Sequence, residues 1–570
     1  MENGQNIFKP VFPESEIVFG LVGAVGTDLD RVCDHLEKSL KDGFKYTVDR
    51  ISVSQQILSK FLSSAELAEL EKSQYQRIDR YMDIGTELRK THNGFLAMAI
   101  ANLISQKRQY GRDNQPVTRH AYIVKSLKHA EEVNILRNIY GNGFYLIGVY
   151  ESSTKRLKNL KGIRYIKENA EKLIEKDEAE EMKHGQQTRD TFQLADFFIE
   201  NSDDAKAQAY ISRIVGLVFG DPFATPTFGE YAMFMAYCAS LRSADLSRQT
   251  GAVVCKNNEI LATGANDCPS FGGGLHWYAF NARTNTYEDC PQGRDYTRGY
   301  DTNKREFVTI AKEILDEFKI PSTLANIEKI KRTQLGDLTE YGRVVHAEME
   351  ALAVCARNNI SSRNAELYAT TFPCHNCAKH IIAAGIRQVV YIEPYPKSKT
   401  FEFYSESITQ NEAEVNKVLF IPFFGVGPRR FIELFAMNAN FLPNKIRKKN
   451  LGDCSPNEYP DEYGKKVEWE RDSDTKLHSQ MMPTTYLDRE LDYSEYYNKF
   501  IVNSQGKLYK NLNPQAITEA EERLKYILEQ KKSWPEWKKT YGSYRLYQEK
   551  NPQKNSRKTG GLDKFFHESI

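Results

Sequence analysis

Two short segments hold the residue types of a metal-assisted hydrolysis. The first is His346-Ala347-Glu348 and the second is Pro373-Cys374-His375-Asn376-Cys377. Zinc takes tetrahedral nitrogen and sulfur ligands, and a catalytic centre keeps one position open for water. His346, Cys374 and Cys377 offer three such ligands. The two cysteines stand at i and i+3, on one face of a helix. Pro373 precedes them, at a predicted helix start where exposed N–H groups and the helix dipole favour thiolates. A zinc ion there makes water a usable nucleophile near neutral pH. Glu348 lies two residues past a ligand, at the start of its own helix, and is placed to move that water's proton. A lone C-x-x-C also suits a structural zinc knuckle or a redox pair, and His375 and His380 lie near enough to close the site. The two half-motifs each open a helix and a strand separates them, which favours the open, catalytic form. One shared ion requires His346 within ~5 Å of the paired sulfurs.

The rest of the composition fits a packed protein in a reducing compartment. The 570 residues carry a formal net charge of +2, with 40% hydrophobic and 12% aromatic residues. That excludes a strongly basic nucleic-acid coat and a disordered acidic chain. The longest nearly apolar stretch, Val418 to Gly427, is half a membrane span and contains Pro422. The N-terminus lacks a basic-then-apolar leader, so a cytoplasmic location with no membrane partner is expected. Seven of the nine cysteines lie between 238 and 377. Such clustering beside histidines points to a metal before a disulfide framework.

Strands alternating with helices predict α/β architecture. Residues 16–26 read as a buried strand ending in a glycine turn, and Thr27 and Asp28 cap a helix over 29–40. Further strands are expected at 120–124, 144–150 and 195–199. A second block begins near 225. It has a helix over 230–241, paired strands at 251–255 and 259–264, and an insertion at about 270–340 with a helix over 306–319. A helix over 345–355, a strand at 367–372, a helix over 374–384 and a strand at 388–392 complete it. The last 40 residues hold ten Lys/Arg against four Asp/Glu, interleaved with Trp534, Trp537, Tyr541, Tyr544 and Tyr547. This tail suits packing on a neighbouring subunit, or nucleic-acid contact by charge and stacking.

Residues 238–270 (CASLRSADLSRQTGAVVCKNNEILATGANDCPS), His346 to Glu348, and 367–393 (LYATTFPCHNCAKHIIAAGIRQVVYIE) resemble deoxycytidylate deaminases of the cytidine-deaminase superfamily. The resemblance implies Zn2+ as cofactor, His346, Cys374 and Cys377 as its ligands, Glu348 as the catalytic acid–base, and Asn266 on the sugar and base. Roughly residues 15–440 resemble a narrower group, bacterial anti-phage dCTP deaminases. The residues that carry this include Phe19-Gly-Leu-Val-Gly-Ala-Val-Gly-Thr-Asp, Tyr391-Ile-Glu-Pro-Tyr-Pro-Lys-Ser and Pro422-Phe-Phe-Gly-Val-Gly-Pro-Arg-Arg. It implies a P-loop kinase-like α/β domain with a degenerate Walker A over 1–220. A cytidine-deaminase-like α/β/α domain follows over 221–440, then a helical or irregular extension over 441–570. The implied reaction turns dCTP and dCMP into deoxyuridine nucleotides and drains deoxycytidine nucleotides during phage infection. Homo-oligomers, often hexamers, are usual for the family. An inhibitory RNA or a phage-derived trigger fits an enzyme that must be restrained.

The glycine turn departs from a working phosphate loop, G-x-x-x-x-G-K-[ST]. With Gly26 as the second glycine, Leu21 stands at the first, Thr27 at the lysine and Asp28 at the hydroxyl position. Gly23, Gly26 and Thr27 remain candidates for nucleotide contact, but kinase chemistry is not expected. Arg156 is a further candidate for phosphate. In the second block Arg429 and Arg430, after a glycine–proline turn, and Lys397, after a strand, are expected to hold substrate phosphate, because arginine binds it bidentately. Cys268, His276 and Cys290 do not match a compact second zinc finger. Two rival readings are a deaminase of single-stranded DNA or RNA and a non-catalytic nucleotide sensor.

Overall fold

Ile17–Val22, an unbroken apolar run apart from Gly20, forms strand β1 with every residue buried. Parallel sheets covered on both faces require such runs. In this computed structural model, residues 15–109, 116–162, 169–179, 188–337, 340–394, 398–437, 483–503 and 513–533 are described. They fall into two units, Met1–Ala224 with Glu433–Ile570, and Thr225–Ile432.

In the first unit β1 pairs with β3 (His120–Lys125) on one side and β4 (Phe144–Tyr150) on the other. Strand β2 (Thr47–Ser52) adds to β3, and β5 (Phe197–Glu200) adds to β4. All are parallel, in the order β5-β4-β1-β3-β2. Chain direction reverses about β1, so its C-terminal end is a switch point, the usual ligand end of an open α/β sheet. The glycine turn sits there and leads to helix α1 (Leu29–Phe44), whose N-cap Asp28 accepts from the Arg31 amide at 3.1 Å.

The described helices of the C-terminal segment, Pro483–Asn503 and Pro514–Gln530, belong to this first unit. They do not form a separate body. A buried polar network explains why. Arg108, in helix α2 (Phe95–Gln109), has no exposed side-chain surface; it lies 2.9 Å from Glu16 and 2.6 Å from Glu490. Tyr122 and Tyr140 donate to the same two carboxylates. Removing one member would leave a buried charge without its partner. The basic aromatic tail beyond residue 533 lies outside the described residues.

The second unit holds a mixed sheet in the order β12-β13-β11-β10-β6-β7. Its strands are β6 (Gly251–Lys256), β7 (Glu259–Ala265), β10 (Glu366–Thr371), β11 (Gln388–Glu393), β12 (Ile408–Thr409) and β13 (Val418–Pro422). A small hairpin, β8 (Ala279–Asn281) with β9 (Thr286–Glu288), lies in the insertion. Helix α3 (Phe228–Ser240) packs on Gly251 and helix α5 (Ala347–Arg357) on Gly264. The cross-strand pairs Gly251–Ala265 and Ala252–Gly264 are adjacent, so they face opposite sides of the sheet. The two helices therefore cover opposite faces. Helix α6 (His375–Ala383) shares the α5 face, through a core of Ala252, Val254, Ala347, Ala351, Leu367, Ala369, Cys377 and Ile381. The insertion also supplies helix α4 (Thr302–Glu317), which begins four residues earlier than expected because Asp301 caps it through the Lys304 amide. Among the described residues no helix is long and apolar enough to cross a membrane.

A Cβ on Gly264 would fall 2.1 Å from the Ala347 carbonyl oxygen. Gly264→Ala should therefore push α5 off the sheet and cost roughly 1–3 kcal/mol or more. Thermal unfolding should show a lower Tm, together with loss of metal retention.

Candidate active site

His346 and Cys374 occupy equivalent places. Each is the extended N-cap residue of a helix, His346 of α5 and Cys374 of α6. Both helices start one or two residues later than the sequence suggests. For α5 the reason is a β-bridge, in which Val345 exchanges backbone hydrogen bonds with Asp267 at 2.9 and 3.2 Å and so stays extended. His346 Nδ1 lies 3.3 Å from Cys377 Sγ and 3.4 Å from Cys374 Sγ. The three donor atoms lie within 4.8 Å of one another. Tetrahedral bonds of about 2.0–2.3 Å space such donors roughly 3.5 Å apart, so the set fits one zinc ion. His375 packs edge-on against Phe403, and His380 is exposed on the last turn of α6. Neither joins the donor group, which among the described residues has three members. Cys290 is exposed and Cys268 faces Asp295, so no second group forms there.

Glu348 is 4% exposed and its Oε2 accepts from the Cys377 thiol at 3.5 Å. Burial raises the pKa of its carboxyl. The Cys374 thiol is pulled down to about 4, first by the hydrogen bond from Cys377 and then by His346. His346 is raised to about 9 by its hydrogen bond to Cys374. Cys377 is pushed well up by its bond to Cys374 and by burial. Metal binding needs these donors deprotonated, so it is coupled to proton release. A protonatable carboxyl buried beside a three-ligand metal site can shuttle a proton between water and substrate.

Residues 226–393 match the cytidine and deoxycytidylate deaminase zinc-binding region. The deoxycytidylate deaminase of Enterobacteria phage T4 is 32% identical over 165 residues, which cover 29% of this chain and 77% of the phage protein. The chain belongs to the deoxycytidylate deaminase family. The phage T2 deoxycytidylate deaminase is likewise 32% identical over 165 residues, 29% of this chain and 79% of its own. A dCMP deaminase of cyanophage S-TIM5, solved with dCMP and dUMP, is 21% identical, covers 35% of this chain and all of its own, and has a TM-score of 0.21. The His–Cys–Cys group lies within the family's zinc-binding region, and zinc is the family's metal.

The other residues expected at a deoxycytidylate deaminase site are less uniform. Asn266 is buried, and its amide serves the protein: Oδ1 accepts from the Thr250 amide at 2.7 Å and Nδ2 donates to the Arg248 carbonyl at 2.9 Å. It fastens the loop 243–250 to the end of β7. Arg429 and Arg430 lie in the short turn Pro428–Arg430, the first exposed and the second buried. Lys397 lies outside the described residues.

In the first unit the glycine turn is filled by protein. The Val25 amide donates to Asp177 Oδ2 at 2.8 Å. Lys128 Nζ donates to the Gly23 carbonyl at 2.8 Å and lies 3.3 Å from Asp177 Oδ1. Gly26 has φ +88°, and a Cβ there would meet the Arg156 carbonyl at 2.8 Å. The Arg156 guanidinium donates to the Val25 carbonyl, and Asn159 to that of Gly26. Thr27 Oγ1 is buried without a hydrogen bond. Sequence reasoning missed Asp177 in this role. It lies 152 residues from Val25, and no local pattern marks such a contact.

It also missed a pair that supports Cys374. Ser398 and Thr400 both donate to the Pro373 carbonyl, at 3.0 and 3.2 Å, and fix the peptide before the ligand. If the donor group holds the metal, Cys374→Ala and Cys377→Ala should each lose most of the zinc measured by plasma mass spectrometry. Glu348→Gln should keep it.

Proposed function

We propose that this chain hydrolytically deaminates dCTP and dCMP to deoxyuridine nucleotides, with His346, Cys374 and Cys377 holding zinc and Glu348 moving the protons. The observation that carries the reading is the buried Glu348 carboxyl 3.5 Å from a sulfur of the three-donor group. Zinc bound there supplies Lewis acidity that makes water nucleophilic near neutral pH. Glu348 accepts one proton of the attacking water and passes it to the ring nitrogen, then carries the second proton, from the new C4 hydroxyl, to the amino group that leaves as ammonia. Its raised pKa suits both directions of transfer. Asn266 acts by holding the substrate loop, and the enzyme works as a homo-oligomer.

The biological reading follows from the wider resemblance. Draining deoxycytidine nucleotides starves phage DNA synthesis, and release from an inhibitory RNA or capture of a phage product starts the reaction. The first unit is a degenerate P-loop kinase-like domain. What supports this is the parallel order β5-β4-β1-β3-β2 with the glycine turn at the end of its central strand. Phosphoryl transfer is not its activity, because no lysine stands in the turn and Asp177 takes the Val25 amide.

Ammonia release from dCTP, dCMP and CTP, assayed separately on purified protein, tests the reaction. The deoxy forms should react. Glu348→Ala should fall by about 10²–10⁴-fold with its zinc retained. An unchanged rate in that variant would overturn the role of Glu348. Incubation with labelled ATP and deoxynucleotides should yield no transferred phosphate, read by thin-layer chromatography.

A further inference from the structure

We propose that Arg248 and Lys304 form the rim that reads the substrate's phosphates, Arg248 the phosphate nearest the sugar and Lys304 the outer phosphates of a triphosphate. The inference rests on the deaminase reading above and names the residues that select among its substrates.

Residues 243–250 lack regular structure but are tied at every turn. The Ser243 hydroxyl donates to the Asn266 carbonyl at 2.6 Å. Asp245 Oδ1 accepts from the Ser247 and Arg248 amides at 2.8 and 2.9 Å. Gln249 donates to the Ser243 carbonyl at 2.8 Å, and Asn266 clamps Arg248 and Thr250. A loop held this firmly presents its outward side chains with little ordering left to lose on binding. They include Ser247 and Arg248, the latter 50% exposed.

The loop is linked to both halves of the metal site. On one side Asn266 leads into Asp267, whose backbone pairs with Val345, next to His346. On the other side Arg248 Nη1 lies 3.1 Å from Glu393 Oε1. The second oxygen of Glu393 accepts from Thr371 at 2.9 Å, and its carbonyl accepts from the Phe372 amide at 2.7 Å, two residues before Cys374. The guanidinium is thus tied, through Glu393, to the segment that leads into Cys374. The insertion adds a second cation at the loop. Lys304, in the first turn of α4, donates to Ser247 Oγ at 3.1 Å and lies 3.5 Å from Asp301.

A cytosine nucleotide must enter with its amino group toward the metal, so its phosphates trail on the far side of the sugar. Arginine's planar fork grips a phosphate at two points, and lysine adds a point charge. Each cation rests against one partly exposed carboxylate. Exposed pairs of this kind contribute little, so a phosphate dianion can replace Glu393 on Arg248 and Asp301 on Lys304. Both residues differ from the Arg429–Arg430 pair that the sequence pointed to.

Steady-state kinetics on the full chain with dCMP and dCTP tests this. Arg248→Gln should raise KM for both roughly 10–100-fold, with kcat little changed. Lys304→Gln should raise KM for dCTP and leave that for dCMP unchanged. Inorganic tripolyphosphate should bind the wild-type protein in calorimetry, and binding should weaken in both variants. Unchanged KM values, or a fall in kcat alone, would overturn the proposal. If the wild-type protein released no ammonia from either nucleotide, the deaminase reading would fail. The tripolyphosphate titration would still decide the rim, since equal binding by wild type and variants overturns it.

Discussion

The second unit depends on two helix N-termini meeting at one point. His346 and Cys374 are both extended cap residues, and the turn of helix after each supplies the next functional group, Glu348 in one case and Cys377 in the other. Their donor atoms converge only because α5 and α6 lie on the same face of the sheet and because nothing larger than hydrogen fits at Gly264. Moving α5 outward by the width of a methyl group would separate His346 from the sulfurs by more than a metal bond can tolerate. The polar ends of both helices also face the site, so the dipoles favour the charge on Cys374 and lower the cost of burying a carboxylate.

Around this point the protein uses carbonyls and amides rather than charges as fasteners. Ser398 and Thr400 hold the Pro373 carbonyl, Val345 is held by Asp267, and the Asn266 amide closes a loop with both of its ends. Each contact fixes a backbone position without adding charge beside the metal ligands. The first unit differs. There a buried arginine between two glutamates ties a C-terminal helix to α2. Such a network gives specificity of packing more than net stability.

The metal site was legible because its chemistry is local. His-x-Glu and Pro-Cys-x-x-Cys each encode a ligand set within five residues, and spacing alone places both at helix starts. The strands β1, β3, β4, β6, β10 and β11 were legible because buried parallel or central strands need continuous apolar runs, and β7, at the sheet edge, was legible from the Lys256-Asn-Asn turn that pairs it with β6. The start of α5 was not, since the bridge between Val345 and Asp267 joins segments far apart in sequence. Asn266 was singled out for the sugar and base, whereas its hydrogen bonds to Thr250 and Arg248 are visible only in three dimensions. Arg248 drew no notice because its partner Glu393 is 145 residues away. Its turn did leave a trace, as Asp245 stands two residues before Ser247, where an aspartate side chain caps a backbone turn.

The contact between Asp177 and the Val25 amide has a consequence for dose. A carboxylate that belongs to the same chain is present at the glycine turn at an effective concentration on the order of millimolar, whatever the dilution of the protein. A free anion would have to outcompete this tethered rival before it could occupy the turn.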